Sequence, residues 1–280
     1  MTKALLALGA AATAALVTRW IAHGSIPTAR ITRRNYRGVP VATGLGIAVV
    51  IGFAAALAMV AFIRLVEPGA GSAAIALLVS YPLLILVFGF GLLGLFDDVA
   101  EQEKRGWRSH LPDLAHGRIT PGTLKIVGGG ILAFVIGAGS DSFGWAVVST
   151  AIIALMANLF NALDVRPGRA GKVFLVAAVP LAILVPHLQV VAAAALGAVA
   201  GFLPFDLRER AMLGDAGSNA IGALLGGAIL IADPADWLKL TLLGLLIALT
   251  LVAEGPTLSH WIDRIGPLRA ADRAGRAPTS

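Results

Sequence analysis

Hydrophobic residues fall into nine runs along the chain, separated by short polar segments. Most runs approach the roughly 20 residues with which an α-helix crosses a bilayer, and none alternates like a barrel strand. The pattern predicts an all-α integral membrane protein, a polytopic bundle of about nine transmembrane helices. The predicted spans are 4–22, 40–63, 72–96, 124–140, 143–161, 172–186, 188–205, 218–232 and 236–255.

Composition supports the membrane assignment. Of the 280 residues, 58% are hydrophobic and only 14% are charged, whereas about a quarter of the residues are charged in a typical soluble domain. These values exclude a disordered chain, a nucleic-acid-binding domain and an ordinary soluble enzyme. The chain has no cysteine, which also excludes disulfides, a thiolate nucleophile and a cysteine-based metal site.

The basic residues lie in alternate loops. Segments 23–39, 97–123, 162–172 and 206–217 and the C-terminal tail hold most of the 22 Lys and Arg residues, and the opposite loops hold none. By the positive-inside rule the basic segments are cytoplasmic, so we expect the N-terminus outside and the C-terminus inside. A cleaved signal peptide in the first run is the alternative, but it would invert every later loop.

This orientation gives an expected organisation. We expect a multi-pass protein of the inner (plasma) membrane, in which residues 1–256 form the transmembrane domain and 257–280 a basic cytoplasmic tail. No nucleic-acid partner is expected, because the basic charge mainly marks topology.

Two adjacent carboxylates, Asp97 and Asp98, end the third predicted span in the segment GLFDDVAE. Neighbouring carboxylates repel each other unless a cation holds them. An oxygen-rich site with few fixed ligands suits Mg²⁺, which keeps waters and takes substrate phosphate as further ligands. The alternative is that both aspartates simply end a helix in water.

A second polar cluster ends the fifth span. Asn158, Asn161 and Asp164 recur every three residues, so they share one helical face. Such a face favours a lined cavity over lipid contact, although hydrogen bonding between helices by the two asparagines would explain it too. Arg166 and Arg169 follow at once.

A third cluster, the turn Gly214–Ser218, opens the eighth span. Backbone amides at a helix N-terminus can bind phosphate, and Asp215 could hold a cation beside them; a plain turn with Asp215 as N-cap is the alternative. Lys125 begins the fourth span on the same predicted face. Together the clusters supply what phosphoryl transfer needs, namely metal ligands, amides and cations.

Four segments in chain order resemble the motifs of one family. VPVATGLGI is similar to a Pro-Thr-Gly-Gly segment, GLFDDVAE to an Asp-Asp motif, NLFNALD to Asn-x-x-Asn-x-x-Asp, and MLGDAGSNAIG to Gly-Asp-x-Gly-Ser. These motifs are typical of the polyprenyl-phosphate N-acetylhexosamine-1-phosphate transferase superfamily, the glycosyltransferase 4 family. Each motif alone is weak, but four in order on one membrane face indicate homology.

The resemblance implies a Mg²⁺-dependent membrane enzyme of cell-envelope glycan synthesis, such as peptidoglycan synthesis. It would transfer a phospho-sugar from a nucleotide sugar of the UDP-N-acetylhexosamine type to polyprenyl (undecaprenyl) phosphate and release a nucleoside monophosphate. A homodimer is compatible with it.

The resemblance also implies roles for individual residues. Asp97 would be the base or orienter of the lipid phosphate, Asp98 its electrostatic partner, and Lys125 a phosphate contact. Asp215, with Asp98, would bind the metal and complete the catalytic set. Asn161 and Asp164 would lie in the pocket for the nucleotide and diphosphate. Taken together with the clusters above, the candidate substrate-binding residues are Asn158, Asn161, Asp164, Arg166, Arg169, Asp206, Gly217 and Ser218.

The chain departs from the family pattern on the side of the sugar nucleotide. Pro167 stands where the family has a second Asp, Asp206 where it has Asn, and the histidine-rich loop is missing from the segment SHWIDRIGPLRAADRAGRAPTS. Arg166 and Arg169 could replace the lost contacts by binding diphosphate through bidentate hydrogen bonds.

The sequence leaves three hypotheses about function. An active transferase is favoured. A catalytically inactive homologue that binds polyprenyl phosphate and scaffolds or regulates envelope assembly is the first alternative. A transporter or flippase is the second, and the near absence of ionisable residues in the middle of the spans counts against it.

Overall fold

A computed structural model describes residues 2–66, 73–100, 116, 120–253 and 257–276. Within these ranges the chain forms eleven α-helices and one two-stranded sheet. The helices are α1 Lys3–Ser25, α2 Ile47–Val66, α3 Ala73–Val99, α4 Pro121–Gly137, α5 Phe143–Leu163, α6 Arg169–Leu184, α7 Gln189–Leu207, α8 Gly214–Ile231, α9 Asp236–Ala253, α10 Thr257–Arg264 and α11 Gly266–Arg273. The strands are β1 Thr32–Arg34 and β2 Pro40–Ala42, and a short 3-10 helix, Ile26–Thr28, follows α1.

The all-α membrane fold is confirmed, and each predicted span corresponds to one of the helices α1–α9. Seven of these helices, α1–α3, α5 and α7–α9, contain a segment long and apolar enough to cross a membrane. Helices α4 and α6 are shorter, with 17 and 16 residues. The orientation of the termini stays a prediction.

The start of the second span was predicted seven residues too early. Residues Pro40–Ala42, counted as membrane helix, form β2, which pairs antiparallel with β1 so that Thr32 lies opposite Ala42. The apolar side chains of Val41 and Ala42 are buried against the protein instead of lipid. In addition, the Ala42 carbonyl accepts a hydrogen bond from the Met212 N–H at 2.8 Å. A backbone hydrogen bond therefore joins the hairpin to the segment that precedes α8.

Helix α8 forms the centre of the bundle, since every residue from Gly214 to Ala228 is buried. Its neighbours approach closely because they present glycine. A Cβ on Gly94 of α3 would overlap the backbone of Asp215, and one on Gly222 of α8 would lie 2.6 Å from the Met156 carbonyl of α5. Helices α3 and α5 therefore both pass against α8, and their C-terminal ends reach its N-terminus.

Large apolar side chains cover the outside of the bundle. Trp20, Phe62, Phe143 and Val176 are all about two-thirds or more exposed. Such a surface suits hydrocarbon rather than water. Polar groups that are buried among the helices consequently stand out as functional candidates.

Candidate active site

Four carboxylates converge at the N-terminus of α8. Asp97 and Asp98 lie in the last turn of α3, Asp164 is the C-cap of α5, and Asp215 lies in the first turn of α8. Because the C-termini of α3 and α5 and the N-terminus of α8 meet at one edge of the bundle, residues far apart in sequence become neighbours. The structure thus brings together three of the motifs that the sequence singled out.

Lys125 connects two of these carboxylates. A capping box between Thr120 and Thr123 begins α4 and places Lys125 in its first turns. The Lys125 Nζ donates a hydrogen bond to Asp215 Oδ2 and lies 3.3 Å from Asp97 Oδ2. The ammonium group therefore offsets the repulsion between Asp97 and Asp215.

Arg33 is a residue of the site that the sequence interpretation missed. Its Nη1 lies 3.6 Å from Asp98 Oδ1 and 4.0 Å from Asp215 Oδ1, and its Nη2 donates to the Asp97 carbonyl at 3.1 Å. In the sequence, Arg33 was only one of four arginines that marked a cytoplasmic loop. The pairing of β1 with β2 places this arginine at the site. The hydrophobic pattern of the sequence does not indicate this pairing.

Two carboxylates from other helices cap the N-terminus of α8. The Ala216 N–H donates to Asp98 Oδ2 and the Gly214 N–H to Asp164 Oδ2, both at 3.0 Å. The alternative of Asp215 as N-cap is therefore wrong. The Gly214 and Ala216 amides bond to carboxylates, and phosphate binding at this helix N-terminus stays a prediction. Leu213 is the N-cap residue and makes no side-chain cap. The caps arise because Asp98 and Asp164 end helices that pack against α8.

Asn161 joins the cluster through its side-chain amide. In the orientation that satisfies its neighbours, the amide nitrogen donates to Asp215 Oδ1 and the oxygen accepts from Lys125 Nζ, each at 3.1 Å. Asn158 lies one helical turn earlier, is partly buried and makes no side-chain hydrogen bond to the described residues. The two asparagines therefore differ in their contacts, and only Asn161 lies against the charged groups.

Ser218 and Gly217 shape the turn at the start of α8. The Ser218 hydroxyl is fully buried and donates to the Gly214 carbonyl at 2.8 Å. Gly217 packs against Gly46, where a Cβ would lie 2.7 Å from the Gly46 Cα. Both residues serve the packing of the turn, and their contact with substrate stays a prediction.

Asp164 is held in an environment that disfavours its charge. Burial, together with the nearby carboxylates of Asp206, Asp98 and Asp215, raises the pKa of Asp164 well above its ordinary value. The hydrogen bond from the Gly214 N–H opposes this rise but does not cancel it. The protonated form of Asp164 is thus favoured more strongly than in water.

A small cavity lies beside the carboxylate cluster. The guanidinium carbon of Arg166 lies 4.6 Å from the centre of the Tyr36 ring, and Asp206 Oδ2 is buried without a hydrogen-bond partner among the described residues. Asp164 belongs to both the cavity and the cluster. The cavity is lined by Asn35, Tyr36, Val41, Asp164, Val165, Arg166, Pro167, Asp206, Glu209 and Met212.

Arg169 has a different partner from the diphosphate that the sequence predicts. It is 3% exposed. Its Nε and Nη2 donate to the two carboxylate oxygens of Asp272 at 2.8 and 3.2 Å, and its Nη1 donates to Ser259 Oγ at 3.0 Å. The side chain is thus engaged with the C-terminal helices.

The carboxylate oxygens suit a divalent cation to which the protein supplies only some of the ligands. Three carboxylates, those of Asp97, Asp98 and Asp215, contact the two cations Arg33 and Lys125. The buried Asp98 Oδ1 lacks a hydrogen-bond donor among the described residues. In that part of the chain no three His, Asp or Glu side chains are arranged to hold an ion unaided. Mg²⁺ commonly binds through one or two carboxylates and completes its shell with water and substrate phosphate. The residues fit such a site.

Comparison with protein-family models matches residues 80–233, just over half of the chain, to glycosyl transferase family 4. The matched range runs from α3 to the end of α8 and contains the four converging carboxylates and Lys125. A search of the curated proteins found no match.

Proposed function

Because the chain belongs to glycosyl transferase family 4, we propose that it transfers a phospho-sugar from a nucleotide-activated sugar to polyprenyl phosphate. The products are a polyprenyl-diphosphate-sugar and a nucleoside monophosphate. The reaction serves cell-envelope glycan synthesis at the cytoplasmic face of the inner membrane.

One observation carries the proposal, namely the meeting of Asp97, Asp98, Asp215 and Lys125 at the N-terminus of α8. Phosphoryl transfer depends mainly on positioning the reactants and on neutralising charge. The cluster of carboxylates and cations can position the reactants and neutralise their charge. It lies where the helix ends meet, a place that both a lipid phosphate in the membrane and a water-soluble nucleotide can reach.

The transfer step makes and breaks one bond at phosphorus. An oxygen of the polyprenyl phosphate forms a bond to the β-phosphorus of the nucleotide sugar. The bond from that phosphorus to the bridging oxygen breaks, and the nucleoside monophosphate leaves with the electron pair. Asp97 orients the lipid phosphate and accepts its proton where it carries one, while Lys125 and Arg33 offset the negative charge of the phosphate oxygens.

Asp215 and Asp98 are the residues that would hold Mg²⁺. When bound, the ion neutralises charge on the diphosphate and stabilises the leaving phosphate. Asp98 also caps α8 through Ala216, so its carboxylate is fixed in position by the fold.

The donor is recognised by the residues between the cluster and the neighbouring cavity. Asn161 contacts Asp215 and Lys125, and Asp164, Arg166 and Asp206 line the cavity. Nucleotide sugars of the UDP-N-acetylhexosamine type are the first donors to test. Pro167 and Asp206 depart from the family pattern, which is a reason to extend the panel to other sugars.

The proposal is tested by nucleotide release. The purified protein is incubated with undecaprenyl phosphate, Mg²⁺ and each of a panel of nucleotide sugars, and nucleoside monophosphate is measured. We expect release with at least one donor, dependent on both lipid and metal. Asp215→Asn should abolish it. Asp233→Asn, a change at an exposed residue paired with Lys239, should not.

A second candidate function is that of an inactive homologue that binds polyprenyl phosphate. Pro167 replaces a family carboxylate, and Lys125 is already engaged with Asp97 and Asp215; both observations favour it. In that case the protein would bind undecaprenyl phosphate, Asp215→Asn would retain binding, and no donor would release nucleotide.

A further inference from the structure

The C-terminal helices are attached to the start of α6 by a buried ionic contact. Asp272 of α11 is 7% exposed and accepts both hydrogen bonds of the bidentate pair from Arg169. Arg276 adds a second cation, with its Nη2 2.7 Å from Asp272 Oδ1. Bidentate arginine–carboxylate pairs fix geometry as well as charge.

Two further contacts reinforce this attachment. The Lys172 Nζ donates to the carbonyls of Ala271 at 2.7 Å, Asp272 at 2.5 Å and Ala274 at 3.3 Å. A lysine in this position satisfies the free carbonyls at the end of α11. Arg276 Nε donates to the Pro167 carbonyl at 3.0 Å. The segment 271–276 thus touches both α6 and the turn before it.

The turn 164–168 is the part of the site that these contacts reach. It begins with Asp164, which caps α8, and continues through Arg166 and Pro167, which line the cavity. Gly168 adopts a φ of +71°. The turn is thereby held by α8 at one end and by the C-terminal segment at the other.

We propose that Asp272 is a positioning residue for the donor side of the site, a role that rests on the proposed function. Through Arg169 and Arg276 it holds the turn 164–168, and with it Asp164 and Arg166, in the arrangement that receives the nucleotide sugar. Asp272 itself lines neither the cavity nor the carboxylate cluster. The C-terminal segment therefore contributes to donor binding by positioning the turn 164–168.

An ion pair that only stabilised the fold would affect folding and kinetics differently from a positioning residue. Buried pairs often add little net stability, but removing one partner leaves a costly unpaired charge. If the pair served stability alone, its loss would lower the amount of folded protein and leave the KM of the surviving enzyme unchanged. A positioning role raises the KM for the donor in protein that is folded.

The test compares Asp272→Asn, which removes the charge, with Asp272→Glu, which keeps it. Backbone hydrogen exchange of residues 164–170 is followed in the full chain, together with kcat and KM for the donor. In Asp272→Asn we expect exchange and KM to rise by about tenfold or more, since small displacements of positioning groups have such effects, while kcat changes little. Asp272→Glu should recover part of both, and Asp236→Asn at an exposed site should resemble the wild type.

Unchanged exchange in folded Asp272→Asn overturns the proposal, and so does a fall in kcat with unchanged KM. If Asp272→Asn does not fold, Arg276→Gln takes its place, because it removes the contacts of Arg276 with Pro167 and Asp272 and leaves the Arg169–Asp272 pair intact. Wild-type protein that turns over no donor contradicts the proposed function. The exchange measurement still decides whether Asp272 holds the turn.

Discussion

Lys125 is the residue on which the charge balance of the site depends most. Its ammonium group lies between Asp97 and Asp215, so removing it leaves two carboxylates facing each other. We expect Lys125→Gln to lower turnover by about 100-fold or more, the range seen when one preorganised donor is removed from an active site. Steady-state nucleotide release measures it, and turnover within threefold of the wild type would refute the role of Lys125.

Arg33 is the second cation that contacts the carboxylates of the site. We expect Arg33→Gln to lower turnover by about tenfold or more, because the guanidinium offsets the charges of Asp98 and Asp215 in a partly buried setting. Arg30→Gln, an exposed arginine in the same loop, should have no effect. Equal effects of the two substitutions would mean that the loop contributes only general positive charge.

Sequence reasoning reached most of the cluster but could not identify its internal bonds. Asp97, Asp98, Asn161, Asp164 and Asp215 stood out because polar residues at the ends of apolar spans are costly. The caps on α8 join residues 50 and 118 positions apart, and no local pattern encodes such pairs.

The start of α8 depends on the glycine at position 214. Its φ is +64°, and a Cβ would lie 2.6 Å from Asp98 Oδ2. We expect Gly214→Ala to destabilise the protein by about 1–3 kcal/mol from backbone strain alone, to lower the Tm by several degrees and to abolish turnover. Gly244→Ala on α9, where nothing lies within 4 Å of an added Cβ, should lower neither the Tm nor turnover, because alanine favours a helix over glycine. A thermal shift assay compares them, and equal Tm values would contradict the packing described for Gly214.

The docking of α10 and α11 should depend on pH through Asp272. Burial disfavours its charge, but the hydrogen bonds and charge of Arg169 and the charge of Arg276 outweigh this and hold the pKa of Asp272 below its ordinary value. The carboxylate therefore stabilises docking fully above the ordinary Asp pKa of about 4, and the stabilisation is lost as pH falls through the lowered value.

A spin label makes this measurable. The chain has no cysteine, so a label at Ala270→Cys, an exposed position on α11, is unique. We expect constant mobility between about pH 6 and 8 and increased mobility below about pH 4. Loss of docking between pH 6 and 8 would show that another group controls it.

The elements themselves were largely predictable. Apolar runs located all nine helices α1–α9, because burial in lipid or in the bundle requires such runs. The β1–β2 hairpin was missed because Pro40–Ala42 is as apolar as the helix that follows, and pairing with Thr32–Arg34 depends on the packing of the hairpin against the segment before α8.

The predicted orientation of the protein in the membrane rests entirely on the distribution of Lys and Arg among the loops. Single cysteines at Arg34 and Asp233, both exposed, test it in intact cells with a membrane-impermeant thiol reagent. We expect labelling at residue 233 and none at residue 34 until the membrane is opened. The reverse pattern would place the carboxylate cluster on the outer face.

We propose above all that the cluster at the N-terminus of α8 transfers a phospho-sugar to a lipid phosphate. The most direct measurement is release of nucleoside monophosphate from a nucleotide sugar by purified protein with undecaprenyl phosphate and Mg²⁺. Release by the wild type and by Asp233→Asn, but not by Asp215→Asn, is the predicted result. Binding of undecaprenyl phosphate without nucleotide release from any donor would contradict it.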